Sequence, residues 1–231
     1  MPTKAVVLLS GGLDSTTVCA CARESGREIH ALTLDYNQRH RWELRAAKEV
    51  ARRFGAKEHL VFPLDLTLFG GSSLTDATIA VEKDAPIEKI GTRIPTSYVP
   101  ARNTIFLSLA LAYAETRGAT EIWLGVNSVD YSGYPDCRPE YIETFQKLST
   151  LATKVGVEGG RFEIKTPLLE LDKAGIIKLG LSLGVDYSIT RSCYDLDDEG
   201  LSCGRCEACQ LRKRGFESAG VADPTPYRAR G

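Results

Sequence analysis

Short continuous hydrophobic runs alternate with helix-forming stretches in the first part of the chain. Lys4–Leu9, Glu28–Leu34 and Glu58–Pro63 have the length and composition of buried parallel strands. Ser15–Ala22 and His40–Phe54 lie between them and are typical of helices, the second with apolar residues at helical spacing. The order strand, helix, strand, helix, strand predicts a parallel sheet.

The alternation resumes after residues 65–100, which mix Gly, Ser, Thr and Pro without a clear period and indicate a long loop. The later predicted elements are helices over Asn103–Arg117, Pro139–Val155, Leu171–Leu183 and Glu207–Phe216 and strands over Glu121–Val126 and Phe162–Ile164. We interpret Asn103 as the N-cap of its helix. The whole pattern predicts an α/β fold with a parallel, doubly wound sheet, whose ligands bind outside the carboxyl ends of the strands.

The composition is that of a protein with one sizeable core. The chain has 231 residues, 43% of them hydrophobic, so we expect one main domain with a small appendage. Lys and Arg (29) nearly balance Asp and Glu (30), and the net charge of −1 argues against direct nucleic-acid binding. The first apolar run, Ala5–Leu9, is too short for a signal sequence or a membrane span, so we expect a cytoplasmic protein that does not enter a membrane.

The turn after the first strand, Ser10–Thr16 (SGGLDST), has the composition of an anion-binding loop. Its adjacent glycines let backbone N–H groups point inward, and the helix N-terminus adds partial positive charge. Ser10, Ser15 and Thr16 can donate to the same oxygens, whereas Asp14 would repel a bare polyphosphate. We therefore infer that Mg²⁺ accompanies the polyphosphate. A capped helix after a Gly-Gly turn needs no ligand, but it leaves the convergence of these side chains unexplained.

Four of the seven cysteines are clustered near the C-terminus, at Cys193, Cys203, Cys206 and Cys209. In a chain of this size the clustering favours metal ligation over disulfides, and four thiolates would close a tetrahedral zinc site. A closed site predicts structural zinc that folds the tail. An iron–sulfur cluster also accepts four thiolates, so that alternative stays open. Cys137 lies outside the cluster.

Two polar groups stand at a predicted strand end and at a predicted helix start. The second strand is followed by Asp35–His40, which contains Arg39 and His40, and a solvated helix start is the competing interpretation. Arg102 precedes the apolar helix and can face a phosphate or a carboxylate.

The loop 127–138 follows the fourth predicted strand and is rich in side chains that form hydrogen bonds. It carries Asp130, Asp136 and Arg138 beside two tyrosines. Such a loop suits recognition of a flat, hydrogen-bonding heterocycle.

These motifs resemble a known enzyme family. SGGLDS is similar to the pyrophosphate loop of the ATP-pyrophosphatase superfamily. With DYNQRH, VPARN, DYSGYPDCR and the Cys-x9-Cys-x2-Cys-x2-Cys tail, the chain resembles the 7-cyano-7-deazaguanine synthases over nearly its whole length. The resemblance implies an adenine nucleotide alpha hydrolase-like domain over 1–185 and a helical zinc-binding tail over 186–231. Asn37 stands where we expect glycine in many members; a non-glycine residue narrows the allowed backbone there if φ is positive, and asparagine tolerates the left-handed conformation.

The resemblance implies a particular reaction. The family converts 7-carboxy-7-deazaguanine and ammonia into the nitrile at the expense of ATP, for queuosine or archaeosine in tRNA, and its members are zinc proteins and commonly homodimers. The implied scheme adenylates the substrate carboxylate, replaces AMP by ammonia, and adenylates the resulting amide to form the nitrile.

Site residues follow from the motifs and the resemblance together. We expect ATP to be bound by Leu8, Leu9, Ser10, Gly11, Gly12, Leu13, Asp14, Ser15, Thr16, Thr17 and Val18. Asp14, assigned to magnesium, and Arg102 are the expected catalytic residues. Expected substrate contacts are Arg39, His40, Asp130, Asp136 and Arg138, and the expected zinc ligands are the four clustered cysteines.

Two other functions stay open from the sequence. A tRNA thiolase of the same superfamily would need a basic tRNA surface and usually a redox-active cysteine pair at the active site, whereas the net charge here is −1 and the clustered cysteines lie in the tail. A non-catalytic nucleotide-binding zinc module is the third interpretation. The source of ammonia and the geometry of a dimer are not indicated by the sequence.

Overall fold

The computed structural model describes residues 2–129 and 133–229, which contain a sheet of five parallel strands. The strands are β1 (Lys4–Leu8), β2 (Glu28–Asp35), β3 (Glu58–Pro63), β4 (Glu121–Trp123) and β5 (Glu163–Lys165), in the order β3-β2-β1-β4-β5. Strand β1 is central, and its residues from Ala5 to Leu8 are buried because elements cover both faces of the sheet. The predicted parallel sheet is confirmed.

Helices cover both faces of the sheet. They are α1 (Leu13–Glu24), α2 (Trp42–Arg53), α3 (Arg102–Arg117), α4 (Pro139–Leu151), α5 (Lys154–Val157), α6 (Lys173–Ser182) and α7 (Glu207–Ala219). Side chains of β1 alternate between two cores: Val6 belongs to a cluster with Leu107 of α3, and Val7 to a cluster with Val18 of α1 and Ile176 of α6. The doubly wound arrangement is therefore confirmed.

The order of the strands creates a switch point beside β1. The strands β2 and β3 extend the sheet on one side of β1, whereas β4 and β5 extend it on the other. Connections on the two sides leave in opposite directions, so a crevice opens at the carboxyl ends of β1 and β4.

The irregular segment 65–100 follows the sequence prediction, with a short 3-10 turn at Ile87–Lys89. Asn37 has a φ of 58°, which is the left-handed conformation that asparagine tolerates. Within the described ranges, no helix combines the length and the apolar character needed to cross a bilayer.

Several element boundaries differ from the prediction by one to three residues, and one predicted helix is divided. The fourth strand ends at Trp123 instead of Val126. The segment predicted as one helix over Pro139–Val155 is split into α4 and α5, because Thr153 has an extended backbone and its Oγ1 accepts a hydrogen bond from the Gly156 N–H at 3.2 Å. Thr153 thus begins a new helix inside the predicted one.

Asn103 does not cap α3, so that interpretation was wrong. Ala101, with a φ of 52°, precedes the helix, and Asn103 is buried in the first turn. The Asn103 N–H donates to Asp136 Oδ2 at 2.9 Å, and Asn103 Nδ2 donates to the Asp136 carbonyl at 3.1 Å. The capping carboxylate therefore comes from a residue 33 positions away in the sequence, which local pattern analysis does not detect.

Candidate active site

A cavity of about 220 Å³ opens at the carboxyl ends of β1, β2 and β4, at the switch point of the sheet. Its walls include the turn after β1, the segment after β2, the start of α3 and residues 191–194. Of the predicted site residues, those that line the cavity are Leu8, Leu9, Ser10, Gly12, Leu13, Asp14, Ser15, Arg39, His40, Arg102 and Cys193. The structure thus brings most of the predicted residues to one place.

The glycine bend after β1 is fixed by close packing against α2. Gly11 has a φ of 81°, and a Cβ on it would lie 2.5 Å from Ala47 N and 2.6 Å from Glu43 O. Only glycine fits this position without displacing the backbone of α2. Gly12 precedes α1 and offers no side-chain cap, and the positive end of the α1 dipole lies at the cavity.

The last residues of the predicted ATP-binding segment, Thr16 to Val18, contact the backbone of the bend or lie in the core. Thr16 Oγ1 donates to the Gly12 carbonyl at 2.8 Å, and Thr17 Oγ1 donates to the Leu13 carbonyl at 2.9 Å. Val18 is fully buried in the core. Gly11, Thr16, Thr17 and Val18 are absent from the cavity wall, so the expectation that the Thr16 hydroxyl points at a ligand differs from what the structure shows.

Asp14 has a partner that the sequence analysis missed. Lys173, at the start of α6, is buried, and its Nζ lies 2.8 Å from Asp14 Oδ1 and 2.9 Å from Oδ2. Both residues line the cavity. The Lys173 charge offsets the Asp14 charge, so the repulsion from which we inferred magnesium is already reduced by the protein. No sequence signal marks Lys173, because 159 positions separate it from Asp14.

Aromatic side chains form one wall of the cavity beside Arg102. Tyr36, Phe106 and Tyr134 line it, and the Arg102 guanidinium lies 5.9 Å from the centre of the Phe106 ring. Burial raises the pKa of Tyr36 and of Tyr134 to about 12, so both hydroxyls stay protonated and can donate hydrogen bonds at neutral pH. A flat heterocycle with a carboxylate fits a wall of this kind next to an arginine.

Arg39 and His40 reach the cavity from the segment after β2. Arg39 Nη2 donates to the carbonyls of Ala77 and Ile79, each at 3.3 Å, and so fastens the long loop to the site. Burial lowers the pKa of His40, and its Nε2 has no hydrogen-bond partner among the described residues. His40 therefore lines the cavity as a neutral ring whose unpaired Nε2 is buried.

Two of the three predicted heterocycle contacts from loop 127–138, Asp136 and Arg138, do not line the cavity. Asp136 is buried and its carboxylate caps α3, and Arg138 is exposed. Asp130 lies outside the described residues. Cys137 does line the cavity, and burial raises the pKa of its thiol to about 12, so it is not a reactive thiolate at neutral pH.

Glu43, in the first turn of α2, also lines the cavity and was not anticipated from the sequence. Burial raises the pKa of its carboxyl group to about 7, although the Arg102 charge opposes the shift. Its helical position makes it look like an ordinary solvated residue in the sequence, and only the packing of α2 against the bend turns it toward the cavity.

The four clustered cysteines come together as predicted. The Sγ atoms of Cys193, Cys203, Cys206 and Cys209 lie within 4.8 Å of one another, and all four residues are buried. Backbone N–H groups of Cys203 and Asp195 donate to Cys193 Sγ at 3.2 and 3.3 Å, and that of Cys206 donates to Cys203 Sγ at 3.3 Å. N–H donors around sulfur stabilise thiolates, so this cluster suits a metal ion.

A short segment connects the cysteine cluster to the glycine bend. The Arg191 N–H donates to the Gly11 carbonyl at 2.9 Å, and the Tyr194 N–H donates to Cys206 Sγ at 3.4 Å. Cys193, between them, is both a cluster residue and part of the cavity wall. The tail is therefore a structural part of the site.

The sheet and the cavity define this chain as an α/β protein with a parallel sheet and a ligand-sized cavity at the switch point of that sheet. Within that class, the chain belongs to the family described as "Queuosine biosynthesis protein QueC", whose family model matches residues 4–220.

Curated relatives agree with this assignment. The 7-cyano-7-deazaguanine synthase of Methylococcus capsulatus is 59% identical over 225 residues, which is 97% of this chain and 99% of that protein. The 7-cyano-7-deazaguanine synthase of Pseudomonas savastanoi pv. phaseolicola is 58% identical over 224 residues, 97% of this chain and 96% of that protein. Among solved structures, NMN synthetase from Francisella tularensis has a TM-score of 0.49 and 18% identity, covering 95% of this chain and 78% of that chain. The family predicted from the sequence is confirmed.

Proposed function

We propose that this protein converts 7-carboxy-7-deazaguanine and ammonia into 7-cyano-7-deazaguanine, with ATP cleaved between its α- and β-phosphates. The names of the relatives support the product. The observation that carries the proposal is the single cavity in which the glycine bend and the start of α1 face Arg102 and an aromatic wall. One end suits a polyphosphate and the other suits a flat carboxylic acid.

The bend is the proposed site of the pyrophosphate that leaves. Ser10 and the residues at the start of α1 line the cavity. Their N–H groups and hydroxyls would hold phosphate oxygens in place of the bonds that Gly12 and Leu13 now donate to Ser10 Oγ and Ser192 Oγ. Lys173 adds a positive charge there, and Asp14 holds its ammonium group in place. Magnesium, bound with ATP, would supply further neutralisation of phosphate charge. This arrangement leaves the α-phosphorus open to attack from the side of the aromatic wall.

The substrate is proposed to lie against Tyr36, Phe106 and Tyr134, with its carboxylate near Arg102. Its carboxylate oxygen attacks the α-phosphorus and pyrophosphate leaves. Ammonia then displaces AMP and gives the amide. The amide oxygen attacks a second ATP, and loss of AMP leaves the carbon–nitrogen triple bond. The chain contributes mainly by binding and orienting the reactants and by stabilising the leaving group.

The cysteine cluster is proposed to hold structural zinc. Four sulfur ligands close a tetrahedron, and zinc would tie the tail to the sheet domain. Metal analysis of purified protein is expected to give one zinc per chain and a colourless solution. Iron with visible charge-transfer absorption would contradict zinc and indicate an iron–sulfur cluster.

We also propose that the nitrogen donor is ammonia and that the protein is a homodimer. We expect it to be located in the cytoplasm and not to bind nucleic acid directly. The net charge of −1 supports the last of these. Sedimentation of the purified protein tests the dimer, and a tRNA gel-shift at low salt tests nucleic-acid binding.

The test of the function is direct. Purified protein is incubated with ATP, 7-carboxy-7-deazaguanine and ammonium chloride, and the products are identified by mass spectrometry. The expected result is the nitrile with two AMP per nitrile, and amide should accumulate when ATP is limiting. Formation of ADP would contradict adenylation, and no nitrile under any ATP supply would overturn the proposed function.

A further inference from the structure

Among the described residues, the acidic side chains that line the cavity are Asp14 and Glu43, and only Asp14 is paired. Lys173 contacts both carboxylate oxygens of Asp14. Glu43 accepts no hydrogen bond from the described part of the chain and forms no ion pair with Arg102, although the Arg102 charge acts on it. Glu43 is therefore the cavity carboxylate that the folded chain leaves available.

Packing holds Glu43 at the border between the two halves of the cavity. Its backbone oxygen lies 2.6 Å from where a Cβ on Gly11 would be, so the first turn of α2 rests directly on the glycine bend. Its side chain reaches the space shared with Arg102 and Tyr36, and its charge acts on the Tyr36 hydroxyl. Glu43 thus borders both the proposed phosphate region and the proposed substrate region.

The proposed reaction needs a proton acceptor at this border. Ammonia has three N–H bonds and the nitrile nitrogen has none, so three protons must leave the same nitrogen. Adenylation of the substrate carboxylate, in contrast, releases no proton. The acceptor must therefore act in the steps after the first adenylation and must face the carbon that receives nitrogen.

We propose that Glu43 is the general base that removes these protons from nitrogen. This inference rests on the proposed function and names a catalytic residue for it. The other candidates that line the cavity are less suited. Asp14 is held by Lys173, and Arg39 is a cation. The unpaired Nε2 of His40 is buried, and the charges that act on His40 are those of Asp195, Arg39 and Arg228 instead of Arg102.

Each proton transfer balances. In amide formation the nitrogen bonds to the acyl carbon, the bond from that carbon to the AMP oxygen breaks with its electron pair, and one N–H proton passes to Glu43. In the second adenylation the amide oxygen bonds to phosphorus, pyrophosphate leaves, and a second proton passes to Glu43. In the last step AMP leaves, the N–H electrons form the third carbon–nitrogen bond, and Glu43 takes the last proton. Water removes each proton before the next transfer.

The environment of Glu43 suits this role. Burial raises the pKa of its carboxyl group to about 7, so it is a stronger base than an exposed carboxylate and is still partly ionised at neutral pH. Charged and titratable groups that line the cavity with it are Asp14, Tyr36, Arg39, His40, Arg102, Tyr134, Cys137, Lys173, Arg191, Cys193, Tyr194 and Arg212. Substrate anions entering the cavity would raise the pKa of Glu43 further by like-charge repulsion.

Glu43→Gln tests the role through a comparison of two measurements. The first is exchange of labelled pyrophosphate into ATP in the presence of 7-carboxy-7-deazaguanine without ammonia, which reports the first adenylation. The second is nitrile formation, from the acid and separately from the amide. Glu43→Gln is expected to keep exchange within about threefold and to lose nitrile formation by about 100-fold or more from either starting compound. Glu43→Asp should recover part of the rate.

Glu49→Gln is the matched control, because Glu49 lies on the same helix and pairs with Arg52 and Arg53 at the surface. It is expected to behave like the unmodified protein. The unmodified protein should lose kcat/KM below a pH of about 7, because kcat/KM reports the free enzyme, and Glu43→Gln should lack this acid limb. Equal losses of exchange and nitrile formation in Glu43→Gln, or an unchanged nitrile rate, would overturn the proposal. No exchange and no nitrile with the unmodified protein would instead refute the proposed function.

Discussion

The backbone N–H of Leu13 donates to the Ser192 hydroxyl at 3.1 Å, which joins the first turn of α1 to the residue that precedes Cys193. The Arg191 N–H also donates to the Gly11 carbonyl at 2.9 Å, so two hydrogen bonds join this segment to the glycine bend. The cysteine cluster therefore helps to determine the shape of the glycine bend, although its sulfur atoms are not part of the bend.

Removal of the metal is expected to weaken ATP binding while the sheet persists. Loss of about one hydrogen bond to the bend corresponds to ~1.4 kcal/mol, or about tenfold in Kd. Calorimetric titration of chelator-treated protein with ATP measures the affinity, and circular dichroism monitors the sheet. Cys206→Ser should behave similarly, and Cys21→Ser, a half-buried cysteine of α1 outside the cluster, is the control. An unchanged Kd in the metal-free protein would rule out this coupling.

Lys173→Met is expected to destabilise the fold by about 3 kcal/mol, because it leaves the partly buried Asp14 carboxylate without its partner. Combining it with Asp14→Asn should recover part of this loss, since both charges are then removed. Asp14→Asn alone should abolish turnover and should also lose stability, because it removes the carboxylate that the buried Lys173 ammonium group contacts. Urea unfolding measures the stabilities, and Lys178→Met, exposed on the same helix, should change them by less than about 0.5 kcal/mol. Strictly additive losses for the pair would show that the contact carries no energy.

Gly11→Ala should be much more costly than Gly26→Ala. Both glycines have positive φ, 81° and 70°, so alanine incurs about 1 kcal/mol of left-handed strain at either site. At Gly26 no heavy atom lies within 4 Å of the added Cβ, whereas at Gly11 Ala47 N lies at 2.5 Å. We expect Gly11→Ala to lose about 2 kcal/mol more, together with ATP binding. If Gly11→Ala and Gly26→Ala were equally stable in urea unfolding, α2 would have to move away from the bend without a cost in free energy.

Glu43 should make stability fall as the pH rises from about 5 to 8. The carboxyl group ionises near 4.5 when unfolded and near 7 when folded, so between these values the folded state holds a proton that the unfolded state has lost. Folding is then favoured at the lower pH. Urea unfolding of Glu43→Gln at pH 5 and pH 8 should show a smaller decrease than the unmodified protein, and Glu49→Gln should not differ from it. An identical decrease in all three would assign the effect to other groups.

Asp136→Ala distinguishes a helix cap from a substrate contact. Its carboxylate accepts from the buried Asn103 N–H, so removing it should cost about 1–3 kcal/mol of stability. The KM for 7-carboxy-7-deazaguanine should change by less than about twofold for Asp136→Ala and for the exposed Arg138→Ala. A tenfold rise in KM without loss of stability would restore the original assignment of Asp136 to the heterocycle.

The sequence predicts those parts of the molecule that depend on local patterns. The strand runs, the SGG bend and the spacing of the four cysteines led to the parallel sheet, the site at its carboxyl edge and the cluster. The features that the sequence analysis did not predict depend on contacts between segments that are far apart in the sequence. Nothing in the sequence near Asp14 indicates its contact with Lys173, which is 159 positions away. Asn103 was interpreted as a helix cap because the carboxylate that does bond the first turn of α3, that of Asp136, is 33 positions away. Thr153 interrupted a continuous apolar pattern that favoured one helix.

The ion pair between the first and sixth helices also bears on the order of events during synthesis. Asp14 is made almost at once, but its counterion is 159 residues further along the chain. A growing polypeptide therefore carries an uncompensated anion beside the bend until the last strand and the helix after it have docked. Closing so long a loop is slow relative to local structure formation. Nascent chains should consequently acquire nucleotide affinity in one late step rather than gradually.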